Sequence, residues 1–177
     1  SQAEHDKMAS AVLVTDSREL AQAVSREIEN QLQTLEREEI ARTSIEANGK
    51  IIVARSLTQA AEVANRIAPE HLELSVDDPF DYLGLIENAG SIFLGRYNPE
   101  PMGDYFAGPN HTLPTMGTAR FYSPLSVDDF IKKSQFSYYT RKALERDYRK
   151  VSRFAKEEGL TAHARAVDIR FEKEGET

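Results

Sequence analysis

Apolar positions along the chain alternate between two periods. Ala11 to Thr15 (AVLVT) is a short β-branched run and predicts a buried strand. Leu20, Val24, Ile28 and Leu32 then recur at helical spacing, behind an Asp16 and Glu19 pair that predicts a capping box. A second helix is predicted from Arg37 to Ala47, stopped by the turn signal Asn48-Gly49. Lys50 to Ala54 (KIIVA) predicts the next strand, and Ala60, Ala61, Ala64 and Ile67 a helix face of small residues ended by Pro69. Leu72 to Val76 reads as a strand, Pro79 to Glu87 as a helix and Ser91 to Leu94 as a strand. Alternation with short connections predicts an α/β fold with a partial Rossmann-like, mostly parallel sheet and flanking helices.

The pattern breaks between Gly95 and Pro124. Prolines 99, 101, 109 and 114 and glycines 103, 108 and 117 fall in this stretch, which predicts a long loop. Long loops inside compact domains are uncommon and usually either functional or disordered; this one carries Asp104, Tyr105, Asn110 and His111, which favours function. Beyond it Val127, Phe130 and Ile131 open a helix, and Gln135 to Thr140 reads as extended. Leu144, Tyr148, Val151 and Ala155 mark a longer helix with Gly159 placed to end it. Thr161 to Val167 predicts a short helix, Ile169 to Phe171 an edge strand, and Glu172 to Thr177 a mobile tail. The expected organisation is an α/β portion over residues 1–125 and a helical C-terminal arm over residues 126–177.

Composition narrows the chemistry. The 177 residues carry a formal net charge of −7, which disfavours a nucleic-acid partner. Cysteine is absent, so disulfides, thiolate zinc sites and a cysteine nucleophile are excluded, and a cytoplasmic setting is expected. No apolar run is long enough for a membrane span and no charged-then-apolar leader opens the chain. The chain starts at Ser1 directly on Gln2 and His5, which reads as a fragment, a processed product or one piece of a split protein.

The four histidines, His5, His71, His111 and His163, each have polar neighbours. Imidazole and carboxylate groups suit zinc, and Gln2 and His5 would share one helical turn. Against this, the dispersed spacing has no short-range metal signature, and surface or capping histidines would look the same. Glu70 and His71, just after the helix-ending Pro69, could share proton transfer near neutral pH; an exposed Glu-His pair is the plainer alternative. No glycine-rich dinucleotide fingerprint, phosphate loop or catalytic-serine motif occurs.

Taken in order, several segments resemble the histidinol dehydrogenases: Gln2 to Asp6 (QAEHD), Ile67 to Glu73 (IAPEHLE), Asn88 to Gly95 (NAGSIFLG), Gly103 to Thr115 (GDYFAGPNHTLPT) continuing through Gly117 to Phe121, and Glu158 to His163 (EGLTAH). The resemblance implies an enzyme oxidising L-histidinol to L-histidine through an aldehyde with two NAD molecules. It implies zinc held by Gln2, His5, Asp104 and His163, His71 as general base and Glu70 activating water. Tyr105, His111 and Glu158 would join those residues around the substrate. It further implies a homodimer, with Glu158 and His163 contributed by the partner. Phe106 stands where some members carry cysteine. Members are more than twice this length, and the part not covered supplies the NAD site. The resemblance thus leaves two further readings: a non-catalytic zinc-binding or dimerisation fragment, and a relative acting on another small alcohol.

Overall fold

The structure, a computed structural model, describes residues 1–172. It divides into two compact units, Ser1–Ile131 and Lys132–Thr177. The first is α/β, as the alternating pattern predicts. Its elements are α1 (Gln2–His5), β1 (Val12–Thr15), α2 (Arg18–Leu32), α3 (Glu38–Asn48), β2 (Lys50–Val53), α4 (Leu57–Ile67), β3 (His71–Leu74), α5 (Phe80–Leu83), β4 (Ser91–Leu94) and α6 (Glu100–Tyr105). Two 3-10 turns follow, at Thr118–Arg120 and Val127–Phe130.

The strands pair in parallel, β1 with β2 and β3 with β4, as two separate two-stranded ladders. Parallel strands need a crossover between them. Helices α2 and α3 supply it for the first pair; α5, a single turn, supplies it for the second. That turn replaces the longer helix predicted over Pro79 to Glu87. Chain after Leu83 is held instead by Asn65 of α4, which donates to the Leu85 carbonyl at 2.7 Å and accepts from the Glu87 amide at 2.7 Å.

The predicted start of α2 needs correction. Its cap is Ser17, not Asp16: the Ser17 hydroxyl accepts from the Leu20 amide at 3.1 Å. Helix α1 is the one turn that Gln2 and His5 were expected to share. Ala3 on its buried side packs with Leu32 of α2 and Ala41 of α3, flanked by Ile28 and Ile45. Small side chains let α1 approach α3 closely, and the chain behind it is tied down by buried polar groups. Ser44, fully buried, donates to the Ala9 carbonyl at 2.8 Å, and Asn48 donates to the same oxygen at 3.1 Å.

The second unit is helical, with α7 (Arg141–Glu157) and α8 (Thr161–Asp168). Residues 132–140 form neither helix nor strand. Gly159 takes φ +76°, the left-handed conformation that ends a helix, so the sharp corner before α8 suits glycine. Ala155 and Ala164 are buried where the helices meet, and Ser152 donates to Asp168 at 2.8 Å. The predicted edge strand at Ile169 to Phe171 is absent. The chain turns there instead, and the Phe171 ring stacks on Tyr148 at 4.4 Å between centroids. Of the tail predicted over Glu172 to Thr177, residues 173–177 lie outside the described residues. Among the described residues no helix is long and apolar enough to cross a membrane.

Ser44→Ala removes a donor from a partly buried carbonyl that keeps one other partner. It lowers stability by about 1 kcal/mol, measured as a lower urea midpoint with an unchanged slope.

Candidate active site

The site grows from the end of α4. Its last residues deliver the chain into Ala68, which takes φ 52° and is wholly buried. Pro69 prevents the helix from continuing, and β3 begins at His71. The Pro69 and Glu70 carbonyls accept from the Gly90 and Ser91 amides at 2.9 and 2.8 Å, so the Glu70-His71 pair is fixed before the ladder proper. Gly90 is needed here: a Cβ would stand 2.6 Å from the Glu70 oxygen.

The stretch predicted as a loop contains a helix. Pro99 precedes α6 and Pro101 lies in its first turn, where a missing N–H costs nothing. Asp104, expected in a Gly-Asp-Tyr turn, is therefore helical, and Glu100 lies four residues before it on the same face. Both carboxylates reach His71. Its Nε2 lies 3.7 Å from Glu100 Oε1 and 4.0 Å from Asp104 Oδ1, with all three side chains at most 22% exposed. That nitrogen is buried and makes no hydrogen bond. Buried polar atoms left without partners are costly and rare, so one held beside two carboxylates makes this cluster the candidate site.

Two contacts press α6 onto the β3–β4 pair. Gly103 packs so tightly on Phe93 that a Cβ would lie 2.6 Å from the ring. Phe93, almost fully buried in β4, also faces His71, their rings 6.0 Å apart and inclined at 52°. At the other end the Glu100 amide donates to Glu73 Oε1 at 2.8 Å. The Glu100 carboxyl is held above the usual carboxylate range, first by burial and then by Asp104 beside it; the charges of His71 and His5 pull the other way.

His71, Glu100 and Asp104 offer one ligand atom each within 4.8 Å of one another. This imidazole and carboxylate set suits a hard or borderline cation such as zinc. Of the expected ligands, Asp104 belongs to this cluster and His5 neighbours it, while Gln2 sits half-buried on the same turn as His5. Tyr105 and His111 are exposed. Glu158 and His163 belong to the second unit: Glu158 ends α7, and His163 is an exposed residue of α8. Sequence reasoning missed Glu100. Its signal was the Glu-x-x-x-Asp spacing, which puts two carboxylates together only if the proline-rich stretch is helical.

An imidazole and two carboxylates held together on an α/β frame are the groups that proton transfer or metal binding uses, and comparison with known proteins gives the family. The histidinol dehydrogenase family model matches residues 1–171. The histidinol dehydrogenase of Bacillus cereus is 58% identical over 174 residues, 98% of this chain and 41% of the relative. That of Listeria monocytogenes is 54% identical, again over 98% of this chain and 41% of its own length. A crystal structure of histidinol dehydrogenase from Elizabethkingia anophelis superposes with a TM-score of 0.80 at 39% identity, covering 95% of this chain and 39% of that one. The chain belongs to the histidinol dehydrogenase family. It spans about two fifths of the length of these curated relatives.

Two outcomes are expected. Gly103→Ala forces a methyl group into the Phe93 ring and destabilises the protein by about 1–3 kcal/mol, read from thermal or urea unfolding. Glu100→Gln acts through pH. A carboxyl whose folded pKa is raised binds more protons folded than unfolded, so it detracts from stability as pH rises. In metal-free protein Glu100→Gln is therefore more stable than the parent at pH 7, and the difference vanishes below the ordinary carboxyl value of 4.5. Unfolding curves at both pH values check this.

Proposed function

We propose that this chain is the zinc-binding and proton-transfer portion of an NAD-linked histidinol dehydrogenase, which oxidises L-histidinol to L-histidine by way of the aldehyde, the last step of histidine biosynthesis. The observation that carries the reading is the buried, unpartnered Nε2 of His71, held beside Glu100 and Asp104. A general base needs a lone pair kept free until substrate arrives.

Zinc is assigned to Gln2, His5, Asp104 and, from the second subunit of a homodimer, His163. Held there, zinc would supply an anchor for the imidazole and amine of the substrate, and NAD would supply the hydride acceptor. No residue of this sequence is assigned to NAD, because no glycine-rich phosphate loop occurs in it. His71 takes the proton of the alcohol in the first oxidation. The resulting imidazolium is stabilised by the Glu100 carboxylate, 3.7 Å from Nε2. His71 gives that proton up to solvent before the second oxidation; Glu70, the adjoining residue, takes a proton from the water that adds to the aldehyde, and His71, neutral again, takes the hydroxyl proton of the hydrate as the second hydride is lost. Tyr105, His111 and the second subunit's Glu158 contact substrate, Glu158 pairing with its cationic part. The lack of cysteine fits a cytoplasmic enzyme.

A second reading has one observation in its favour. The His71, Glu100 and Asp104 atoms are close enough to bind a cation themselves, which would make His71 a ligand and not a base.

In the protein completed with the length that its relatives carry, His71→Asn lowers histidinol-dependent NADH formation by about 100-fold or more, as loss of a general base does, while zinc stays bound. Normal turnover would rule out the base, and loss of zinc would favour the second reading. Glu70→Gln impairs oxidation of added histidinaldehyde more than oxidation of histidinol to the aldehyde; equal losses in single-turnover measurements would contradict its role.

A further inference from the structure

We infer that Glu73 is a positioning residue of this site, acting through α6 on His71. The inference rests on the reading of His71 as the base and Asp104 as a zinc ligand. His71 and Glu73 are two apart on β3, so both side chains leave the same face of the strand. Glu73 pairs in register with Phe93 on β4. That one face therefore carries the base, the Phe93 platform under Gly103 and the acceptor for the first amide of α6.

The need for an outside acceptor comes from the sequence. Pro99, which precedes α6, has no side-chain oxygen and makes no cap. Pro101 has no amide to contribute. Glu73 Oε1 takes the Glu100 amide at 2.8 Å, so the carboxylate of one element sets where the next one begins. Glu100 and Asp104 follow from that starting point, one helical turn apart. A helix of six residues has little hold of its own. Gly103 on Phe93 fixes its height above the sheet; Glu73 fixes its position along the strand. A shift along β3 would carry both carboxylates past His71 together.

What matters is the reach of the oxygen, not the charge of the group. Glu73→Gln keeps an acceptor at the same distance; Glu73→Asp keeps the charge but withdraws the oxygen by one carbon–carbon bond. Both variants are made in the protein completed to the length of its relatives, with folding checked by circular dichroism. Turnover, KM for histidinol and calorimetric affinity for zinc are then measured. Glu73→Gln is expected within about threefold of the parent, and Glu73→Asp to lose about tenfold or more in kcat with weaker zinc binding, as small misplacements of reacting groups do. Parental values for both variants, or greater damage from Gln than from Asp, would overturn the proposal. If the parent protein forms no NADH from histidinol, the functional reading fails by itself, and the zinc affinities still decide the role of Glu73.

Discussion

The close docking of one short helix on two strands governs everything this site can do. Helix α6 is pressed against Phe93 at Gly103 and held at its start by Glu73. Neither contact could be moved far. A side chain at position 103 would collide with the ring, and the first amide has no acceptor on its own helix. The consequence is electrostatic. Two carboxylates and an imidazole, all partly buried, stand within 4.8 Å of one another, where their mutual interactions are stronger than in open water. Burial and the neighbouring Asp104 raise the Glu100 carboxyl, and the buried His71 nitrogen goes without a partner. Each feature costs stability, and an active site is where such costs are retained.

The frame around α6 was legible because it is periodic. Runs such as KIIV and SIFL became strands β2 and β4, and helices α2, α3, α4 and α7 follow the spacing of their apolar residues. Elements went astray where a single local contact outweighs periodicity. Phe171 looked like part of an edge strand, but its ring stacks on Tyr148 and the chain turns. Ser17 took the cap that Asp16 was expected to provide. Most telling is α6, hidden by two prolines that usually signal a loop but that a helix accepts just before its start and in its first turn. Glu100 escaped notice for that reason, although its neighbour Asp104 did not. His71 could be named from sequence, but its burial and missing partner depend on residues more than twenty positions away.

The residues assigned to the reaction are divided between two compact units. The first brings His71, Glu100 and Asp104 together with His5 nearby; the second carries Glu158 at the end of α7 and His163 in α8. In the proposed homodimer the first unit supplies the base and most zinc ligands, while the second unit completes the site of the other subunit. The order is physically sensible. Proton transfer demands tight positioning, provided by strand and helix of one body. Recognition of the substrate's cationic part would tolerate a group that arrives on assembly, and in the proposed homodimer oxidation would be conditional on it.

The central claim is that His71 is a base with a free nitrogen, and that Asp104, not His71, binds the metal. Zinc anomalous scattering from crystals of the full-length protein with histidinol bound tests this most directly. The account predicts a zinc peak bonded to Asp104, His5 and Gln2, with His71 unligated and within hydrogen-bond reach of the substrate hydroxyl. Zinc bonded to His71 Nε2 together with Glu100 and Asp104 would contradict it and make the cluster a metal site.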